Sequence, residues 1–445
     1  MATDMTKGKP MKLLIGFALP LMIGNIFQQF YNFVDTVIVG RFIGPDALAA
    51  VGTTGNIIAV TNSLMMGLSV GAGIVVAQYY GLHNQEKLKK SIVALIELVS
   101  VLTAIIPVLG FLLAPTILHL MQVPDNIIGS SIIFLRICMA GMFGMIAYNG
   151  AAAILRSVGD SKTPLLAMVV SSLVNIGLNL LFVIHFNMGV AGAAYGTVIA
   201  QVVAAAICIS KLYINRIKMG INQLDFTPQW HMISIVIRAG VPFAVQSSLI
   251  SLGGMSVQGL VNTFGLETMS AYAAVQRIDS VTIQIVVAIG SALSVFTGQN
   301  IGSQNFERIK EALHKTLTIM MICCLSLAVV VLCLKNQLLS IFLDPAIAAD
   351  SIRIGSDYLT IIVIAYIIAG VMNSYLNLIR GAGDVNASLL AGVAEITGRI
   401  VFAYLLVIPF GVTGIWIATP LSWGCGCLYS IYRYYSGKWK KLWII

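Results

Sequence analysis

Apolar runs of about twenty residues recur along the whole chain, near 13–38, 48–78, 92–114, 127–154, 164–185, 189–210, 240–263, 268–297, 316–334, 355–378, 388–409 and 412–432. That pattern admits few folds. In hydrocarbon, a backbone N–H or C=O without a partner is costly, so only helices and closed barrels cross a bilayer. Barrel strands alternate apolar and polar residues over about ten positions, whereas these runs are unbroken and rich in Leu, Ile, Val and Ala. The expected fold is all-α integral membrane, with twelve transmembrane helices. A soluble chain is excluded: charged residues make up 10% of the sequence, against about 25% in soluble domains.

The formal net charge of +9 does not indicate nucleic acid, because the basic residues sit in short segments between the apolar runs. With twelve spans, twenty of the twenty-six Lys and Arg fall on the side that holds the N-terminus, among them Lys7, Lys9, Lys87, Arg156, Lys211, Arg308, Arg380 and Lys438. Basic loops stay cytoplasmic, so both termini are expected in the cytoplasm and the protein in the cytoplasmic (inner) membrane. The opening run contains Asp35 and no small-residue cleavage site, and is expected to stay as the first helix rather than leave as a signal peptide. The seven Cys lie mostly inside apolar runs, and no disulfide framework or zinc spacing is expected.

Two halves of the chain match. Gln78, Gly81, Asn84 and Glu86 pair with Gln299, Gly302, Asn305 and Glu307, all 221 residues later, and Pro20 pairs with Pro242. LRSVGDSKTPLLA (155–167) matches IRGAGDVNASLLA (379–391), which pairs Arg156 with Arg380 and Asp160 with Asp384. An even-numbered helical unit keeps its topology on duplication. Two six-helix lobes related by a pseudo-twofold axis along the membrane normal are therefore expected, a transporter architecture with a cavity near the midplane. The lobes are placed at 1–210 and 239–445, joined by a cytoplasmic linker at 211–238, the longest polar stretch.

Polar groups inside the runs carry the chemistry. Asp35 lies in the first helix, where a carboxylate is costly unless it meets water, a proton or a cation. Tyr31, one turn earlier, is placed to hydrogen-bond to it. Asn175 and Asn179 are spaced i, i+4 in the fifth span, and Thr197 lies in the sixth. Amide and hydroxyl oxygens with one carboxylate suit a hard cation, although hydrogen bonding between helices would also account for the amides. Glu395 and Arg399 are i, i+4 in the eleventh span and neutralise one another, while Arg277, Gln276 and Asp279 form a polar cluster in the eighth. Met65, Met66, Met142 and Met145 read as packing residues that also suit an adaptable pocket. With no nucleotide-binding or hydrolytic motif in the sequence, the chain is expected to be a secondary transporter rather than an enzyme.

The first-helix segment with Pro20, Gly24, Gln28, Asp35 and Gly40, the AQYYG and GQNIG segments, the LRSVGD and IRGAGD loops and GVPFAVQSS at 240–248 together resemble the multidrug and toxic compound extrusion (MATE) family, in its DinF-like branch. The resemblance implies a cation-coupled efflux antiporter that exports varied, often cationic organic compounds by alternating access in exchange for protons or sodium ions. It implies a coupling site at Asp35, Asn175, Asn179 and Thr197 with Tyr31 nearby, and no resident cofactor or metal beyond a coupling sodium ion at Asp35. Pro20, Gln28, Gln246, Arg277, Glu395 and Arg399 are assigned to the substrate cavity or to conformational change. Expected partners are small organic substrates and the lipid bilayer, with no nucleic acid, and the protein is expected to be a monomer. The alternatives are a lipid-linked precursor flippase of the same superfamily and a channel.

Overall fold

The computed structural model describes residues 3–216, 227, 229–345 and 347–440. Among the described residues there is no strand. The α-helices are α1 (Pro10–Phe42), α2 (Pro45–Gly81), α3 (Gln85–Leu120), α4 (Asp125–Ala140), α5 (Met142–Ser157), α6 (Lys162–Asn179), α7 (Gly189–Asn215), α8 (Trp230–Asn262), α9 (Leu266–Gly302), α10 (Phe306–Ser340), α11 (Ala349–Gly381), α12 (Val385–Phe410) and α13 (Val412–Tyr435). A π-helical turn, Leu180–His185, continues α6. Helices α4 and α5 form one span bent by 41° at Gly141, so among the described residues twelve rods stand where twelve runs were read.

Several rods outreach a bilayer. The 37 residues of α2 extend about 55 Å at 1.5 Å per residue, against about 30 Å of hydrocarbon. The surplus ends in polar turns, and these repeat between the halves. Asn84 caps α3 by accepting from the Lys87 amide at 3.0 Å, and its counterpart Asn305 caps α10 by accepting from the Arg308 amide at 3.4 Å. Asp160 accepts from the Thr163 amide at 3.1 Å, as Asp384 does from the Ala387 amide at 3.4 Å. Such caps satisfy amides that a helix start leaves open. The residues before them share backbone signs, with φ of 56° at both His83 and Gln304, and 83° and 89° at Gly159 and Gly383.

The chain divides into two compact units, Met1–Asp4 with Pro20–Ala244 and Met5–Leu19 with Val245–Ile445. The division falls inside α1 at Pro20 and inside α8 just after Pro242, the two prolines that the repeat pairs. Of the expected linker, 211–215 continues α7 and 230–238 opens α8; its polar middle, with Asn222, Gln223, Asp225 and Pro228, lies outside the described residues. In the first unit, Gly67 and Gly71 of α2 press against the backbone of α8 at Ala239–Ala244. In the second, Tyr272, Tyr358 and Trp416 stack, with ring centroids 4.2 Å apart between Tyr358 and Trp416 and 5.7 Å between Tyr272 and Trp416.

Candidate functional site

A cavity of about 430 Å³ lies within the first unit. Eight α1 residues line it, among them Pro20, Gly24, Gln28, Tyr31 and Asp35, at steps of three and four that keep one face of a helix in register. The same period runs along α6, where Pro164, Met168, Ser171 and Asn175 line the opposite wall. Helix α7 adds Thr197, and α5 adds Tyr148 and Asn149. The helices meet the cavity along polar stripes because only there can amides and a carboxylate avoid lipid.

At one end, four polar side chains join. Asn179 Nδ2 donates to Asp35 Oδ1 and, at 3.3 Å, to Asn175 Oδ1. Asn175 Nδ2 donates to Thr197 Oγ1 at 3.3 Å, and that hydroxyl donates to the Ala193 carbonyl at 3.0 Å. Asn175 and Asn179 are fully buried, whereas Asp35 and Thr197 are half-buried and face the cavity. The Asn179 Oδ1 atom is buried with no hydrogen-bond partner and packs against Gly196 of α7. The π-helical turn begins at the next residue; such turns widen the helix and free backbone positions where function needs them. These oxygens, with the Asp35 carboxylate, form a donor set that a hard monovalent cation or a proton would fit.

The structure brings Asp35, Asn175, Asn179 and Thr197 together, and Tyr31, Pro20 and Gln28 line the same cavity. Tyr31 is corrected in one respect: it lines the cavity on the face of Asp35, but no hydrogen bond joins the two. Gln246, Glu395 and Arg399 belong to the second unit and do not line this cavity. There, Glu395 and Arg399 pair at 3.2 Å, and Gln246 Oε1 accepts from Arg380 Nη2 at 2.7 Å. Arg277 is exposed on α9, while nearby Asp279 is buried. Sequence reasoning missed Arg156, Asn149 and Met168 as lining residues; Met66, Met142 and Met145, read as packing residues that also suit an adaptable pocket, face the cavity as well. The signal that finds Met168 is the α6 stripe, read at a step of three to four from Pro164 to Asn175.

Gly196 on α7 explains why Asn179 can reach Asp35. A Cβ at that position would overlap the Asn179 amide oxygen, so the buried amide must turn to clear it. The Gly196→Ala variant is expected to fold, to turn Asn179 away from Asp35 and to lower transport by roughly tenfold, the scale of one lost hydrogen bond to a charged group. Initial-rate transport in vesicles, matched for protein content, measures this; an unchanged rate would show that the contact is dispensable.

A family model described as MatE matches residues 20–181 and again 242–405, starting at the two paired prolines. The chain belongs to the MatE family. Among its relatives, the probable multidrug resistance protein YpnP of Bacillus subtilis is 29% identical over 99% of this chain and 98% of its own. The probable multidrug resistance protein NorM of Thermotoga maritima is 23% identical over 97% of this chain and 93% of its own. A solved structure described as the outward-facing conformation of a multidrug resistance MATE family transporter of the MOP superfamily aligns with a TM-score of 0.91 at 24% identity, covering 99% of each chain. Twelve helices in two six-helix lobes are thus the fold of this MatE protein, which is a multi-span membrane transporter and not an enzyme.

Proposed function

We propose that this MatE protein is a multidrug efflux antiporter of the bacterial inner membrane, coupled to protons or sodium ions and working by alternating access. The observation that carries the reading is the Asp35 carboxylate, held by Asn179 at one end of an amphipathic cavity large enough for a small organic molecule. Ion and drug share the cavity, and coupling requires only that they favour different states. A proton or cation at Asp35 removes the negative charge that attracts a cationic compound, which weakens drug binding in the outward-open state. Return inward then carries the ion down its gradient. Pro20, where α1 lacks one backbone hydrogen bond, is the natural point for the first helix to bend during that cycle. The ion is cargo here rather than a resident cofactor. The protein is expected to work as a monomer with both termini cytoplasmic.

A lipid-linked precursor flippase would need a strongly basic cavity, whereas among the described residues one Asp and one Arg line this one. Purified protein in proteoliposomes, loaded with ethidium and given an imposed pH or sodium gradient, tests the reading. Gradient-dependent dye movement is the expected result. Dye flux without a gradient would indicate a channel, and lipid movement without dye movement a flippase. Varying pH at zero sodium, and then sodium at fixed pH, identifies the ion.

A further inference from the structure

The repeat offers an internal control for Arg156. Its counterpart Arg380 closes α11 as Arg156 closes α5. Arg380 is fully engaged: its Nη2 donates to Gln246 Oε1 at 2.7 Å and its Nε to Ser388 Oγ at 2.9 Å. In the first half, the repeat sets Gly24 where the second has Gln246, and Pro164 where it has Ser388. Both partners have lost the side chain that could accept. Gly24, Pro164 and Arg156 all line the cavity, and among the described residues Arg156 has no hydrogen bond or ion pair. Where Gln246 and Ser388 accept from the guanidinium in one half, Gly24 and Pro164 offer no side-chain acceptor in the other.

The opening is not enforced by crowding. A Cβ at Gly24 would lie 3.6 Å from Leu165 Cδ1 and 3.8 Å from its Cα, ordinary contact distances, so a side chain there is sterically admissible. A guanidinium left unpaired in a restricted cavity is a strong site for a planar acid, which it can bind through two parallel hydrogen bonds. The other ionised residue lining the cavity is Asp35, eleven residues from Gly24 along α1, or about 16 Å at the helical rise. The cavity therefore has a cationic end and an anionic end, and no net charge.

We infer that Arg156 binds the acidic group of the transported compound, so that the cavity takes elongated amphiphiles carrying a carboxylate at one end and a cationic group at the other, the latter directed to Asp35. This rests on the efflux reading above and narrows its substrate class. The competing role for Arg156, a cation favourable at the end of α5, would hold the fold without recognising any ligand.

The test uses rhodamine B, which carries a free carboxylate, and its ethyl ester, which does not, binding to the purified full-length protein in detergent by fluorescence anisotropy. The native protein is expected to prefer the acid, with Arg156→Gln weakening the acid by about tenfold, the scale of a lost charge-assisted pair, and the ester by less than about twofold. Gly24→Gln, which leaves Arg156 in place and supplies the partner that Arg380 has, should produce the same selective loss and does not depend on Arg156→Gln folding. Equal loss of both dyes, or no loss, in the two variants would overturn the assignment. Binding of the ester but not the acid by the native protein would overturn it while leaving the efflux reading intact. Binding of neither dye would count against the efflux reading and take this inference with it.

Discussion

Replacing Asp35 by Asn is expected to abolish gradient-driven efflux and to weaken the binding of a cationic dye. The side chain keeps its size, and the amide oxygen that takes the place of the carboxylate still accepts from Asn179 Nδ2, as Asp35 does, so the local helix contacts survive. What goes is the charge. An amide can neither take up a proton nor hold a cation as a carboxylate does, and the cavity is fixed in its neutralised form. Coupling free energies between two ligands correspond to roughly 5 to 150-fold in affinity, so the driven rate should fall by about tenfold to a hundredfold, to the leak of protein-free vesicles. Measured in proteoliposomes, that loss should come with a flat response to pH and to sodium. Driven efflux at the native rate would remove Asp35 from the mechanism. The Asp35→Glu variant separates charge from position: it retains a titratable group but lengthens it by one methylene against the buried Asn175 and Asn179, and partial activity is expected.

How far the sequence disclosed this site follows from what each signal encodes. Spans are legible because twenty apolar residues have one stable solution in lipid, and the repeat is legible because capped turns need Asn, Asp and Gly at fixed places, as at Asn84 and Asn305 or Gly159 and Gly383. Neighbours on one helix face, such as Asn175 and Asn179, follow from spacing. Contacts across the bundle do not: that Asn179 bonds to Asp35, while Tyr31 does not, depends on how α1, α6 and α7 pack. The bend between α4 and α5 is hidden for a similar reason, since Gly141 looks like any glycine in a span until Val198 of α7 is seen pressed against it. Arg156 shows the limit most clearly. Its own segment shares the Arg, the Gly-Asp turn and the Leu-Leu-Ala of the Arg380 segment, and part of the difference lies in a partner on another helix, Gly24 against Gln246. Only the folded protein shows that one arginine is bonded and the other open.

Introducing a side chain at Gly71 should do most damage to the fold. Gly67 and Gly71 form a G-x-x-x-G pair on one face of α2, the spacing that lets two membrane helices approach until their backbones touch. A Cβ at Gly71 would sit 2.5 Å from the Ala239 carbonyl oxygen, and one at Gly67 would sit 2.5 Å from the Ala244 Cα. These obstacles are main chain, which cannot rotate aside as a side chain would, so α2 and the first half of α8 must separate. Overpacking of this kind costs roughly 1–3 kcal/mol for a single methyl, and the separation also forfeits contacts on either side of it. The Gly71→Ala variant is expected to melt several degrees below the native protein in a detergent thermal-shift measurement, and Gly71→Leu to yield no monodisperse protein. Gly52 on the same helix is the control, because nothing lies within 4 Å of a Cβ placed there; Gly52→Ala should match the native melting temperature or exceed it slightly. Equal melting of Gly71→Ala and Gly52→Ala would mean that the α2–α8 approach is looser than the structure has it, and that the first half of α8 is held in the first unit by something other than this contact.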